Sequence, residues 1–213
     1  MSGYHPAAYG DSCAGFYDQL YPNVEAGLVD ALASLAADGR ALELGVATGR
    51  VAARLVEAGC DVVGIDASDE MIAAARDRSD GLKLTLGDFE KLPYADRSFS
   101  LVYALVSTLS LLPTRELLDR AVSEICRVLV PDGKLVYETH FARSAAKAVA
   151  YDHLIATADG PRRYQFLSLD TSPADLIEIA NNAGLSLAGE WRDWRGSVIT
   201  QQEGRIILVF TRA

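Results

Sequence analysis

Three carboxylates and a pair of glycines form the pattern in this 213-residue sequence with the most chemistry to offer. Glu43, Asp66 and Asp88 each sit at the end of a short apolar run, separated by 23 and then 22 residues. Glu43 leads directly into Leu44-Gly45-Val46-Ala47-Thr48-Gly49-Arg50, two glycines four positions apart. A strand that turns through such glycines into a helix near Val51 exposes backbone N–H groups and a helix N-terminus at the carboxyl end of the strand, a place where cofactors bind. Adjacent parallel strands lie about 5 Å apart, so three acids at three successive strand ends would line one edge within the span of a nucleoside. Asp66 is placed to accept from two ribose hydroxyls, and Asp88 from an exocyclic amine of adenine, with Phe89 stacking or packing on the ring. Glu43 can hold the turn itself or the ammonium end of a cofactor.

A dinucleotide fits this pattern poorly. A G-x-G-x-x-G fingerprint starting at Gly45 requires glycine where Ala47 stands and Gly or Ala where Arg50 stands. A pyrophosphate would also meet Glu43. An acidic site suits a cofactor that carries positive charge and no phosphate.

Candidates for proton transfer are few, because the chain has three histidines. His140, just past a predicted strand, shares the rim with the cofactor turn, and imidazole is a side-chain type suited to general-base work. It is a base there or a histidine that only hydrogen-bonds in a loop. His5 and Tyr9 are further candidates from the N-terminal segment, and Ser107 with Thr108 completes the floor after the fourth strand. No N-P-P-Y or D-P-P-Y run follows that strand, which removes a motif that aligns exocyclic base amines. No acid and Asn set for a magnesium site can be assembled, and Cys13, Cys60 and Cys126 form no C-x-x-C pair, so no metal is expected.

The elements that must position these residues follow from periodicity. Residues 1–38 form an N-terminal helical arm, either a lid or a packing segment, with Tyr4, Tyr9, Tyr17 and Tyr21 ahead of an amphipathic helix from Val24. Strands are predicted at Arg40 to Gly45, Asp61 to Asp66, Leu82 to Leu86, Phe99 to Val106 and Lys134 to Thr139. Helices are predicted from Val51 to Ala58, from Asp69 to Arg78 behind a Ser68 cap, and after a Thr114 cap through Leu129. Such alternation builds a parallel sheet covered on both faces. An insertion at 141–171, near the substrate side, is read as an alanine-rich helix from Phe141 to Tyr151, the Asp159-Gly160-Pro161 turn and a short run Tyr164 to Leu169. A helix opened by Ser172-Pro173 and two antiparallel strands, Leu185 to Trp191 and Arg205 to Thr211, complete one domain over residues 1–213. The fold class is α/β, a Rossmann-like doubly wound sheet.

Bulk properties narrow the partners. A formal charge of -9 and a pI near 4.8 repel a phosphate backbone, so no nucleic-acid partner is expected. The unbroken apolar runs are too short for a membrane span and the N-terminus lacks a signal-peptide pattern, which predicts a cytoplasmic protein, monomer or homodimer, with no membrane partner.

Four stretches bring a known family into view: Glu43-Leu44-Gly45-Val46-Ala47-Thr48-Gly49, Gly64-Ile65-Asp66-Ala67-Ser68-Asp69-Glu70-Met71, Gly87-Asp88-Phe89-Glu90-Lys91-Leu92-Pro93 and Arg127-Val128-Leu129-Val130-Pro131-Asp132-Gly133-Lys134. In this order they resemble the successive motifs of class I S-adenosylmethionine-dependent methyltransferases over about residues 17–140. The resemblance implies a seven-stranded sheet with a reversed terminal strand, S-adenosyl-L-methionine as cofactor and S-adenosyl-L-homocysteine as product. It implies that the glycine turn, Gly45, Ala47 and Gly49, holds the methionine part, Asp66 the ribose and Asp88 the adenine, with Phe89 on the ring, Ala67 and Met71 among the further cofactor-binding residues and Ser107 on the floor. Ala47 departs from the family, many of whose members have glycine there. Phe16-Tyr17-Asp18-Gln19-Leu20-Tyr21 resembles the N-terminal element of antibiotic-tailoring members, which implies that Tyr17 closes over the cofactor. The expected function is methyl transfer to a small-molecule acceptor, a secondary metabolite being one class, through O, N or C. The rival is a cofactor-binding protein that no longer transfers methyl.

Overall fold

The computed structural model describes residues 4–141, 147–199 and 204–213. The arm comprises α1 (Ala8–Cys13), a 3-10 turn (Ala14–Phe16), α2 (Tyr17–Leu20) and α3 (Leu28–Ala36). Strands and helices then alternate: β1 (Ala41–Leu44), α4 (Ala52–Glu57), β2 (Val62–Asp66), α5 (Asp69–Arg78), β3 (Lys83–Leu86), β4 (Phe99–Ala104), α6 (Arg115–Val128) and β5 (Leu129–His140). After them come β6 (Lys147–Thr157), β7 (Gly160–Asp170), α7 (Pro173–Asn182), β8 (Leu185–Trp191) and β9 (Arg205–Arg212).

Seven strands form one sheet in the order β3-β2-β1-β4-β5-β9-β8. β9 runs antiparallel to both β5 and β8, while the pairings among β1 to β5 are parallel. The chain order reverses between β1 and β4, so a crevice opens at their carboxyl ends, where open α/β sheets bind ligands.

Side-chain alternation sorts the core into two layers. Leu42, Leu44, Val102 and Ala104 face one side, where α6 and α7 bury Leu118, Ile125, Leu176 and Ile179. Leu101 and Tyr103 face the other, against Leu32 of α3, Leu55 of α4 and Ile72 of α5. α6 buries Leu118, Ala121, Val122, Ile125 and Val128, the stripe its spacing predicts. Fully burying each of the larger ones is worth about 1.5–3 kcal/mol. Caps set the helix starts as the sequence indicates. Ser68 accepts from the Met71 N–H, Thr114 from Leu117, and Ser172 forms a reciprocal capping box with Asp175 behind Pro173.

The predicted helix from Phe141 to Tyr151 is corrected. Positions 142–146 lie outside the described residues, and Lys147–Thr157 is the strand β6, paired antiparallel with β7 in a separate two-stranded sheet. Its alanines, Ala148 and Ala150, occupy one side of a period-two pattern whose other side is Val149, Tyr151, His153 and Ile155. β-branched and aromatic residues on one face favour a strand over the helix that the alanines suggest. Gly160, at φ 105°, supplies the left-handed backbone that brings β7 back along β6.

Candidate functional site

Glu43 and Tyr103 are in-register neighbours on β1 and β4, both on the α4 side of the sheet. The Tyr103 hydroxyl donates to Glu43 Oε2 at 3.1 Å, and the Ala52 backbone N–H at the start of α4 favours the charged form of the same carboxyl. Burial raises the Glu43 pKa to about 8, with the Tyr103 hydrogen bond and the Arg50 charge opposing the rise. Glu43 is therefore placed under the glycine turn, which it ties to β4 and α4. It does not border the cavity above, which corrects its placement among the cofactor contacts.

Above the turn, a narrow slot of about 50 Å³ is bordered by Gly45, Ala47, Asp66, Ala67, Met71, Asp88 and Phe89, with Thr108 and Leu111 on the β4 side. Tyr4, Tyr9, Gly10 and Tyr17 close it from the arm. Asp66 is half-buried there, its carboxylate tied down by two backbone donors: Ala47 N–H reaches Oδ2 at 2.9 Å and Ser68 N–H reaches Oδ1 at 3.0 Å. Burial raises its pKa, and the N–H groups of Ser68, Ala47 and Ala67 counter the rise. Each oxygen keeps a further acceptor direction for hydroxyls in the slot. Gly45 has no room for a side chain, since a Cβ there would lie 2.5 Å from Thr108 Cγ2. Gly49 is a correction of another kind. At φ 74° its would-be Cβ points at Leu82 and Ala75, so it packs turn against helix and does not line the slot.

Strain concentrates at the switch point. Ala47 (φ 48°), Val106 (φ 51°) and Ser107 (φ 60°) all hold left-handed backbone at the ends of β1 and β4. For β-branched Val106 this conformation is costly and needs outside support. Buried Glu138 provides it: its Oε2 accepts the Val106 N–H at 3.1 Å, and its carbonyl accepts the Ser107 N–H at 2.9 Å.

A second cavity of about 430 Å³ adjoins the slot and shares Tyr9, Tyr17, Thr108 and Leu111 with it. Ser107 and His140 line this cavity and not the slot. Ser107 Oγ lies 3.1 Å from Thr139 Oγ1 and 3.5 Å from His140 Nδ1. The opposite wall is the β6–β7 hairpin, which presents Tyr151, His153, Tyr164 and Phe166 as near-parallel rings with interplanar angles of 6–17°. Tyr9 meets Tyr164 and Phe166 edge-on at centroid distances of 6.2 and 5.3 Å. Burial raises the pKa of Tyr9, Tyr17 and Tyr164, so these phenols stay protonated and serve as donors. The sequence reading missed Glu138 on β5, and it missed Tyr151, His153 and Asp170, whose signal was the alternation along β6 and β7.

The arm is latched across the slot. Thr48 Oγ1 donates to Asp18 Oδ1 at 2.6 Å, Arg78 pairs with Asp18, and Arg78 Nε donates to the Thr48 carbonyl at 2.6 Å. At the hairpin tip, the Ala158 N–H donates to Gln19 Oε1 at 2.8 Å. His5 does not border either cavity.

The donor set fits S-adenosylmethionine. Asp66 and Asp88 are the fixed charges on the slot wall, which bears no Lys or Arg among the described residues. Such a wall suits a sulfonium nucleoside and opposes a pyrophosphate.

Comparison with known proteins agrees with this geometry. Residues 42–137 match the family model described as a methyltransferase domain. The chain is 37% identical over 105 residues to the malonyl-[acyl-carrier protein] O-methyltransferase of Methylococcus capsulatus, covering 47% of this chain and 37% of that one. It is 35% identical over 124 residues to the phosphatidylethanolamine N-methyltransferase of Cereibacter sphaeroides, covering 55% and 59%. The match thus spans about a third to three fifths of these relatives' length. Among solved structures, the CcbJ methyltransferase from Streptomyces caelestis superposes with a TM-score of 0.87 at 25% identity, over 99% of this chain and 100% of that one. SAM-bound CalS10 from Micromonospora echinaspora, an amino pentose methyltransferase involved in calicheamicin biosynthesis, shares the fold with a TM-score of 0.70 at 18% identity, over 92% and 96%.

Proposed function

We propose that the chain is a class I S-adenosylmethionine-dependent methyltransferase, in line with the methyltransferase-domain match over residues 42–137 and the likeness to CcbJ, and that it methylates a small molecule held between the arm and the β6–β7 hairpin. One observation carries this reading: the slot and the larger cavity share the walls Tyr9, Tyr17, Thr108 and Leu111, so an acceptor in the second lies next to a cofactor in the first. The chemistry supplied by bound S-adenosylmethionine is an electrophilic methyl group on a sulfonium sulfur, with S-adenosylhomocysteine as product.

The chain's own residues orient and enclose. Asp66 holds the ribose hydroxyls, Asp88 the adenine amine with Phe89 against the ring, and the turn from Gly45 to Ala47 the methionine part. Tyr17 separates the two compartments and, with the arm, keeps water from the transfer path. Alignment and water exclusion supply most of the rate in a displacement that disperses charge. His140, steadied by Ser107, takes a proton from acceptors that must lose one.

The cavity size, the acidic balance of the chain and the involvement of CalS10 in calicheamicin biosynthesis support a secondary metabolite as acceptor. No helix among the described residues is long and apolar enough to cross a membrane, and free Cys13, Cys60 and Cys126 suit the reducing cytoplasm as the place of action.

The test is transfer of radiolabelled methyl from S-adenosylmethionine to a panel of small amines, phenols and alcohols and to the low-molecular-mass fraction of a cell extract. Label on a small molecule, reduced in His140→Gln when the acceptor needs deprotonation, is the expected result. Stoichiometric cofactor binding with no label on any acceptor would favour the non-transferring rival.

A further inference from the structure

The acceptor cavity has an uneven charge lining. Its wall carries one carboxylate, Asp170, and no Lys or Arg among the described residues. The rest of its polar surface is hydroxyl and imidazole, including the phenols of Tyr9 and Tyr151. Asp170 closes β7 on the inner face of the hairpin, where the Tyr151 hydroxyl donates to its Oδ1 at 3.2 Å. Tyr151 is itself fixed in the ring stack, 5.1 Å from Phe166 and 5.8 Å from His153. A carboxylate oriented by one phenol keeps acceptor directions for a ligand donor. Lys147 stands opposite Asp170 in the ladder, but it is exposed and makes no ion pair with it among the described residues.

We infer that the acceptor carries a basic amine, cationic in solution, which Asp170 and the Tyr151 hydroxyl anchor on the hairpin wall. A carboxylate that has no ion-pair partner among the described residues, in a half-enclosed cavity, attracts a cation more strongly than it would in open water. The aromatic stack and the phenol oxygens give that cation a polarisable, oxygen-rich surround. A neutral alcohol of the same shape gains no charge interaction there, and an anionic acceptor is repelled. The inference rests on the methyltransferase reading for the cavity's role as the acceptor site, while the selection for charge is a property of the hairpin wall itself.

The experiment uses the full chain saturated with S-adenosylhomocysteine, whose binding is first verified by calorimetry, and titrates it with benzylamine or with its neutral isostere benzyl alcohol. Line shifts in NMR spectra report the two affinities. Benzylamine is expected to bind the wild type about 10-fold more tightly than benzyl alcohol, as a charge-assisted hydrogen bond allows. In Asp170→Asn, which keeps an acceptor for Tyr151, that ratio should fall to about one while benzyl alcohol binding and the thermal melt stay unchanged. Equal affinity of the two probes for the wild type, no detectable benzylamine binding at millimolar concentration, or an unchanged ratio in Asp170→Asn would overturn the inference. Failure of S-adenosylhomocysteine to bind would instead strike the methyltransferase reading, so the two failures are separable.

Discussion

A carboxylate can serve a site from beneath it, and Glu43 shows how burial decides that. Its side chain reaches Tyr103 and the start of α4, and burial lifts its pKa to about 8. An unfolded glutamate titrates near 4.3, so the folded protein binds the extra proton between these values. The protonated group's stabilisation is complete below the unfolded pKa and is lost as pH rises through about 8. Glu43→Gln should therefore be close to wild type at pH 5 and gain on it by a few kcal/mol, on the order set by the shift, at pH 9. Urea melts of both proteins across pH measure it, and a gap that stays flat with pH would contradict the assignment. The strand-end position of Glu43 was legible in the sequence, but its depth was not. That depth depends on Tyr103, 60 residues away in the chain, landing in register on the adjacent strand.

Elements were legible where one physical signal dominated. α5 runs from Asp69 to Arg78 as its cap and periodicity indicate, and the strand ends carrying Asp66 and Asp88 come to one edge. The hairpin was illegible because alanine content and strand alternation compete in Ala148 to Tyr151, and tertiary contact with the arm decides between them. That contact is a second adjustable element. Gly10 of α1 presses against α5 so closely that an added Cβ would lie 2.6 Å from Ser68 Cβ and 3.2 Å from Met71 Cγ. Gly10→Ala should lift the arm from the slot, weakening S-adenosylhomocysteine binding about 10-fold or more and exposing the arm to limited proteolysis. Unchanged affinity and proteolysis would show that the arm is not a wall of the cofactor site.

At the scale of the whole molecule, the switch between β1 and β4 brings the strand ends, the arm and the hairpin to one side of the sheet. The arm and the hairpin pack on each other through Tyr9, Phe16, Tyr164 and Phe166, so neither half of the cover is independent. A cofactor under that cover should stabilise the native state by mass action, by about 2.7 kcal/mol at a hundredfold excess over Kd. Thermal melts with increasing S-adenosylhomocysteine should rise steadily and should also protect the arm from protease. A rise in melting temperature without arm protection would place the cofactor elsewhere. Topology was readable from the strand and helix alternation, whereas the two compartments depended on long-range packing that no local pattern encodes.

The most direct measurement is calorimetry of S-adenosylhomocysteine binding to wild type, Asp66→Asn and Asp66→Ala, each first shown to be folded by its thermal melt. A carboxylate that accepts the ribose hydroxyls predicts a loss of about 10- to 100-fold in affinity for both variants. Affinity equal to wild type in the folded variants would contradict the account of the strand-end acids as the cofactor's binding edge.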